Sequence, residues 1–208
     1  MHLSSIPRHF FKLMMAAIFA ATASSVYSQV VPATRGSAGR LPLSVGGGYS
    51  YFDVDWGKTR MGGYAGWIDV PMPGMPYFLN GLMIEAEGRD VLWNPGDKGK
   101  TFSQRTGGGG VLYEMHRFRN FKLYAKGLVS YGFIDFGGCL VSCNTTHPYT
   151  NDSRVTYAPG GGMEYRIHRN IWARADYEYQ FWPHFLGKTL DPQGFTFGAM
   201  YDFRRSQR

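Results

Sequence analysis

The segment from Ile171 to Phe181, IWARADYEYQF, constrains this chain more than any other, because its two faces are chemically opposite. Odd positions are Ile171, Ala173, Ala175, Tyr177, Tyr179 and Phe181; even positions are Trp172, Arg174, Asp176, Glu178 and Gln180. A two-residue period belongs to a β-strand with one apolar and one charged face. Periodicity does not say which face points inward. A soluble sheet turns its apolar face to a second layer, whereas a membrane barrel turns it to lipid and keeps the polar face within.

The N-terminus favours the second arrangement. Arg8 and Lys12 precede an uncharged apolar run from Leu13 to Ala23, and Val26-Tyr27-Ser28 resembles the approach to a signal-peptidase site. Export with cleavage between Ser28 and Gln29 is expected, because the run is short for a spanning helix. Residues 1–28 then form the leader, 29–40 a periplasmic lead-in, 41–203 the folded domain and 204–208 a basic tail. No other stretch approaches the ~20 apolar residues of a membrane helix. A β-barrel is not excluded by that, since its strands are only half apolar.

Alternation recurs along the chain between turn-forming residues. Eight segments stand out: Leu41–Val54, Arg60–Val70, Leu79–Trp93, Thr101–Met115, Phe121–Phe133, Val155–Ile167, Ile171–Phe181 and Gly194–Phe203. Prolines in PMPGMP break the pattern after the second, because proline cannot donate to a ladder. The fourth contains four consecutive glycines, Gly107 to Gly110, a composition that a loop shares. Links HRFRN and His168–Asn170 are short, whereas Asp135–Ser153 and Pro183–Gln193 are long and polar. Short turns on one side and long loops on the other are the outer-membrane pattern, with the short turns periplasmic.

Charge falls mainly on one face of these segments. Glu85, Glu87, Arg89, Glu114, Lys126, Glu164, Arg166, Arg174, Asp176 and Glu178 share the polar side, as do Gly46, Gly48, Gly108, Gly110, Gly160 and Gly162. Long side chains are expected to lie across those bare glycine strips. So many enclosed charges must pair or stay wet. A paired set makes a plug, because an eight-stranded interior is barely wider than its side chains. A wet set makes a narrow ion path.

The final segment adds a specific motif. Thr196, Gly198, Tyr201 and Phe203 match, position by position, the C-terminal insertion signal of bacterial outer-membrane barrels: a polar residue, a glycine two later, then two aromatics spaced by one. From Leu41 onward the chain resembles the small eight-stranded outer-membrane barrels that include opacity-type proteins and the barrel domain of outer membrane protein A. Segments GGGMEYRIHRNIWARADYEYQFW and DPQGFTFGAMYDF carry most of the likeness. The resemblance implies an all-β, eight-stranded antiparallel up-and-down transmembrane β-barrel in the bacterial outer membrane, inserted by the barrel-assembly machinery. It specifies fold and export better than activity.

Three function classes follow. The leading expectation is a monomeric, non-enzymatic envelope protein whose long loops meet a surface ligand. A small passive channel is the second. The third is a lipid-modifying enzyme at the rim, using His147 or His184 with Ser142, Ser153 or Thr189. No motif ties these residues together, and a small lumen offers a hydrolase no cleft.

Cys139 and Cys143 sit four apart in GGCLVSCN. In an exported chain a local disulfide is expected, worth roughly 2 kcal/mol by loop closure. Only His147 lies near them, so neither a metal site nor any other cofactor is expected. Net charge drops from +7 to +5 once Arg8 and Lys12 leave. No basic run with interleaved aromatics points to nucleic acid. Arg117, Arg119, Arg169, Arg204 and Arg205 gather on the side assigned to the periplasm, where anionic lipid headgroups are their expected partners.

Overall fold

The computed structural model describes residues 43–54, 60–93, 101–135, 151–185 and 188–203. Its strands are β1 (Ser44–Asp53), β2 (Arg60–Pro71), β3 (Leu82–Trp93), β4 (Phe102–Arg117), β5 (Phe121–Asp135), β6 (Asn151–Arg166), β7 (Ile171–Tyr179), β8 (Trp182–Phe185), β9 (Lys188–Leu190) and β10 (Gln193–Asp202). Eight of them close a barrel in the order β1-β10-β7-β6-β5-β4-β3-β2, each antiparallel to its neighbours. Closure removes both sheet edges, so each of these eight strands finds its ladder partners within the barrel. The seam between β1 and β10 pairs Ser44 with Asp202 and Asp53 with Gln193.

The end where β1 begins and β10 finishes is called the near end; the other is the far end. Two near-end links, Phe118–Asn120 and Ile167–Asn170, are tight. In the first, Phe118 N–H donates to Phe121 O at 2.7 Å. The third link, from β2 to β3, carries a single 3-10 turn at Tyr77–Leu79. Gly74 there has φ of 75°, a conformation glycine adopts without steric cost.

Most expected segments coincide with barrel strands, and the differences have physical causes. The third begins at Leu82 rather than Leu79, because the proline-rich link continues into the 3-10 turn. The glycine run sits inside β4, which spans 16 residues. An added Cβ at Gly110 would meet Leu128 Cα at 2.8 Å, so a bare backbone is what fits that curved wall. The sixth strand starts four residues earlier than expected, bringing Asn151–Ser153 out of the loop. The seventh stops at Tyr179, with Phe181 joined to Tyr157 only by an isolated bridge. The Pro183–Gln193 link is not wholly loop, since β8 and β9 pair as a small hairpin of their own.

Side chains sort as a membrane barrel requires. Tyr49, Tyr64, Val129, Tyr131, Phe195 and Phe197 are exposed on the outer wall. Asp69, Lys122, Lys126 and Asp202 of these strands are buried within it. This settles the inside-out ambiguity of the alternation.

Candidate functional site

The interior is built in three layers, beginning with a central charged one. Glu85, Glu87 and Arg89 enter from β3, Lys126 and Tyr124 from β5, Arg174, Asp176 and Glu178 from β7, and Asp69 from β2. Lys126 Nζ lies 2.6 Å from Glu87 Oε2, 3.1 Å from Glu178 Oε2, 3.4 Å from Glu85 Oε1 and 3.6 Å from Asp176 Oδ2. Arg174 reaches Glu85 at 2.6 Å, Asp176 at 3.1 Å and Asp69 at 3.2 Å, and its Nε donates to the Tyr124 hydroxyl at 2.8 Å. Arg89 grips Glu178 with both terminal nitrogens, at 2.7 and 3.2 Å, and also pairs with Glu87. Its Nε donates to Ser50 Oγ at 3.2 Å.

The decisive geometry is diametral. In the ring of eight, three strands separate β3 from β7 in either direction. Arg89–Glu178 and Arg174–Glu85 both join these opposed walls, so the side chains meet across the full width of the lumen. Each of these four side chains is at most 2% exposed. Charge-assisted hydrogen bonds repay part of the desolvation that such burial costs.

Apolar layers close both ends. At the far end Trp182, wholly buried, packs with Ile134 and Leu190, while Val54, Met61 and Val91 form a second cluster; Phe102 touches both. Trp182 Nε1 and Gln104 Nε2 both donate to Gln180 Oε1, at 3.0 and 2.9 Å, and Gln180 Nε2 donates to Glu178 at 2.7 Å. At the near end Trp67, Trp172, Ala65 and Met200 cluster beneath the charges. The Arg174 guanidinium lies 4.8 Å above the Trp67 ring, and Lys122 Nζ lies 4.0 Å from the Trp172 ring. Cations and rings thus join the layers face to face.

The expected network residues divide. Seven of them, Glu85, Glu87, Arg89, Lys126, Arg174, Asp176 and Glu178, form the central layer. Glu114 and Glu164 lie nearer the end, on Lys122 Nζ at 3.7 and 2.9 Å. Arg166 stands apart from the central carboxylates, 4.7 Å from the Trp172 ring. Asp69, Lys122, Tyr124 and Ser50 were absent from the expected set. Asp69 and Lys122 occupy inward positions of their strands, so alternation carried a signal for both. Among the expected glycines, Gly46 lies under an aromatic ring, Gly162 beside the Tyr124 hydroxyl and Gly160 beside Lys126. Added Cβ atoms at Gly46 and Gly198 would strike the Trp67 indole, one at Gly132 would strike the Trp182 ring, and one at Gly160 would meet Lys126 Cε at 3.4 Å.

Among the insertion-motif residues, Thr196 points inward and shares a hydroxyl hydrogen bond of 2.8 Å with Ser50 across the closing seam. Tyr201 and Phe203 lie outside, edge to face at 4.7 Å. Arg119 and Arg169 are exposed in near-end turns, and Arg117 ends β4. Arg204, Arg205, Ser28, Gln29, Cys139, Cys143, Ser142 and His147 lie outside the described residues. His184 is exposed with φ of 59°. Ser153 Oγ instead bonds the Tyr131 hydroxyl at 2.8 Å. No group of metal-ligating side chains occurs among the described residues.

Comparison with known proteins places this architecture. Residues 13–203 match the family model described as the outer membrane protein beta-barrel domain. No curated protein matches the chain by sequence. Among solved structures, Ail, the attachment invasion locus protein of Yersinia pestis, is 17% identical with a TM-score of 0.53, over 76% of this chain and 96% of its own. Neisserial surface protein A is 14% identical with a TM-score of 0.55, over 77% and 97%. A second Ail structure, holding the heparin analogue sucrose octasulfate, is 17% identical over 76% and 96%, with a TM-score of 0.50. At such identities the likeness is one of fold.

Proposed function

Since the chain belongs to the family of outer-membrane β-barrel domains, we propose that it is a plugged, non-enzymatic anchor that holds its far-end segments at the cell surface as an adhesin-like interaction surface. The observation that carries this reading is the pair of ion-paired links across the lumen, Arg89–Glu178 and Arg174–Glu85. Trp-containing clusters on both sides of them support a plug rather than an open axis. The working surface is therefore assigned to the far end, whose longest link carries Cys139 and Cys143. Ail, of the same fold, has been captured with a heparin analogue, which supports a surface ligand here as well. Arg117, Arg119 and Arg169 are assigned to anionic headgroups of the periplasmic leaflet, at about 1 kcal/mol per residue.

One observation favours a second reading, a passive cation path. The central layer holds five carboxylates, Asp69, Glu85, Glu87, Asp176 and Glu178, against three cations, Arg89, Lys126 and Arg174. Asp69 Oδ1 and Asp176 Oδ1 are buried without a hydrogen-bond partner among the described residues. Water or a cation there would balance them.

Planar-bilayer conductance of the refolded chain separates the two readings, with a heat-modifiable gel shift to certify the folded barrel. Silence supports the anchor. Steady discrete openings altered by Arg174→Ala or Glu178→Ala would replace it with the channel. For the surface role, exchanging residues 136–150 for a short Gly-Ser linker is expected to abolish ligand binding by whole cells and leave the gel shift intact.

A further inference from the structure

The link between β2 and β3 has a composition unlike the other near-end turns. Residues 72–81, MPGMPYFLNG, include no charged side chain, whereas Phe118–Asn120 and Ile167–Asn170 each include an arginine. Its two aromatics are the most exposed large apolar groups at this end among the described residues: Tyr77 is 95% exposed and Phe78 70%. They are also held in place. Leu79 N–H donates to Pro76 O at 2.8 Å, Met72 N–H to Leu82 O at 3.1 Å, and Glu114 N–H to Gly81 O at 2.9 Å. Two prolines, Pro73 and Pro76, restrict the backbone further. An ordered, uncharged, aromatic surface of this kind marks a contact.

A tether indicates which medium covers it. The Tyr113 hydroxyl donates to Phe78 O at 2.9 Å. Tyr113 projects from the outer wall, in register with Leu82 and two residues from exposed Val111. The turn therefore lies beside the wall rather than beneath the lumen. It continues a lipid-facing surface that already includes Val70, Ile84, Val111 and Met115. Arg119, in the next near-end link, suits the headgroup layer around it.

We infer that residues 72–81 form an interfacial foot, which inserts Tyr77 and Phe78 among the phospholipid acyl chains of the periplasmic leaflet. Aromatic side chains favour this boundary, and apolar burial there gives the barrel a fixed depth. The inference rests on the membrane placement of the barrel, not on its role as a plugged anchor.

The test places a nitroxide at Tyr77→Cys or Phe78→Cys, in full-length chain carrying Cys139→Ser and Cys143→Ser. The protein is refolded into phosphatidylethanolamine–phosphatidylglycerol vesicles. Oxygen accessibility exceeding that of an aqueous nickel chelate, as at a Val129→Cys control on the wall, is the expected result. Chelate accessibility like that of Arg119→Cys would overturn the foot. So would low accessibility to both reagents, which would mean that protein, such as a second copy, covers the turn. The Val129 label reports barrel insertion separately, so a failed barrel is not mistaken for a failed foot. Hydroxyl-radical footprinting of the unmodified chain in the same vesicles gives a second reading. Protection of Tyr77 and Phe78 is expected, and labelling at the rate of a solvated aromatic would overturn the proposal.

Discussion

Replacing Arg174 by methionine is the sharpest test of how the lumen is held together. Methionine keeps much of the side-chain volume and removes the guanidinium. Three carboxylates and the Tyr124 hydroxyl lose a partner, but not equally. Glu85 and Asp176 keep Lys126, at 3.4 and 3.6 Å. For Asp69, 1% exposed, Arg174 is the cation within ion-pairing distance among the described residues. The loss is therefore dominated by one stranded buried carboxylate. Breaking such a pair costs about 3–5 kcal/mol, a large share of the ~5–15 kcal/mol that keeps a typical domain folded. The folded-to-unfolded ratio should fall by roughly two to four orders of magnitude. Adding Asp69→Asn removes the stranded charge, so the double variant should recover about 1–3 kcal/mol, appearing as a coupling energy. Denaturant unfolding in vesicles measures both, using tryptophan fluorescence because the Trp67 ring lies directly under the guanidinium. A single variant costing less than about 1 kcal/mol, or a double variant no better than the single, would refute the reasoning. Water would then be replacing the guanidinium, and the lumen would be wet rather than plugged.

Trp182→Ala is expected to cost about 3–5 kcal/mol through the cavity it leaves, read as a lower transition temperature in the gel-shift assay. The variant should stay electrically silent, because the links across the charged layer survive it. Gly110→Ala should cost about 1–3 kcal/mol by overpacking against β5. Gly88→Ala, with nothing within 4 Å of the added Cβ, should stay within about 0.5 kcal/mol in the same assay. Alkylation of the exported chain should leave Cys139 and Cys143 unmodified until a reductant is added, since a pair so close in an oxidising compartment closes locally; labelling without reductant would exclude the disulfide.

Much of the fold was legible because a barrel strand writes its environment into every second residue. Glu85, Glu87 and Arg89 alternate with Ile84, Ala86 and Gly88, and that parity alone placed them inside once the aromatic final strand had identified the outer face. The same rule reached Asp69 and Lys122, but a lone charge among Trp67, Ile68 and Val70 gives a weaker pattern than a run of three. The β8–β9 hairpin escaped because Pro183, Gly187, Asp191 and Pro192 are turn chemistry at any scale. Its Trp182 shows that a ring on the polar face can fill the lumen instead of facing lipid.

Alternation, turn residues and the closing Thr196–Phe203 motif determined the strand number, the up-and-down order and the polarity of the wall, because each is a local property of consecutive residues. Ring closure decided the rest. Only when β1 meets β10 do β3 and β7 become opposite walls, and only then does Arg174 lie within 2.6 Å of Glu85, 89 positions away in the chain. Distances of that kind depend on strand stagger and barrel radius, which are collective quantities no single segment encodes.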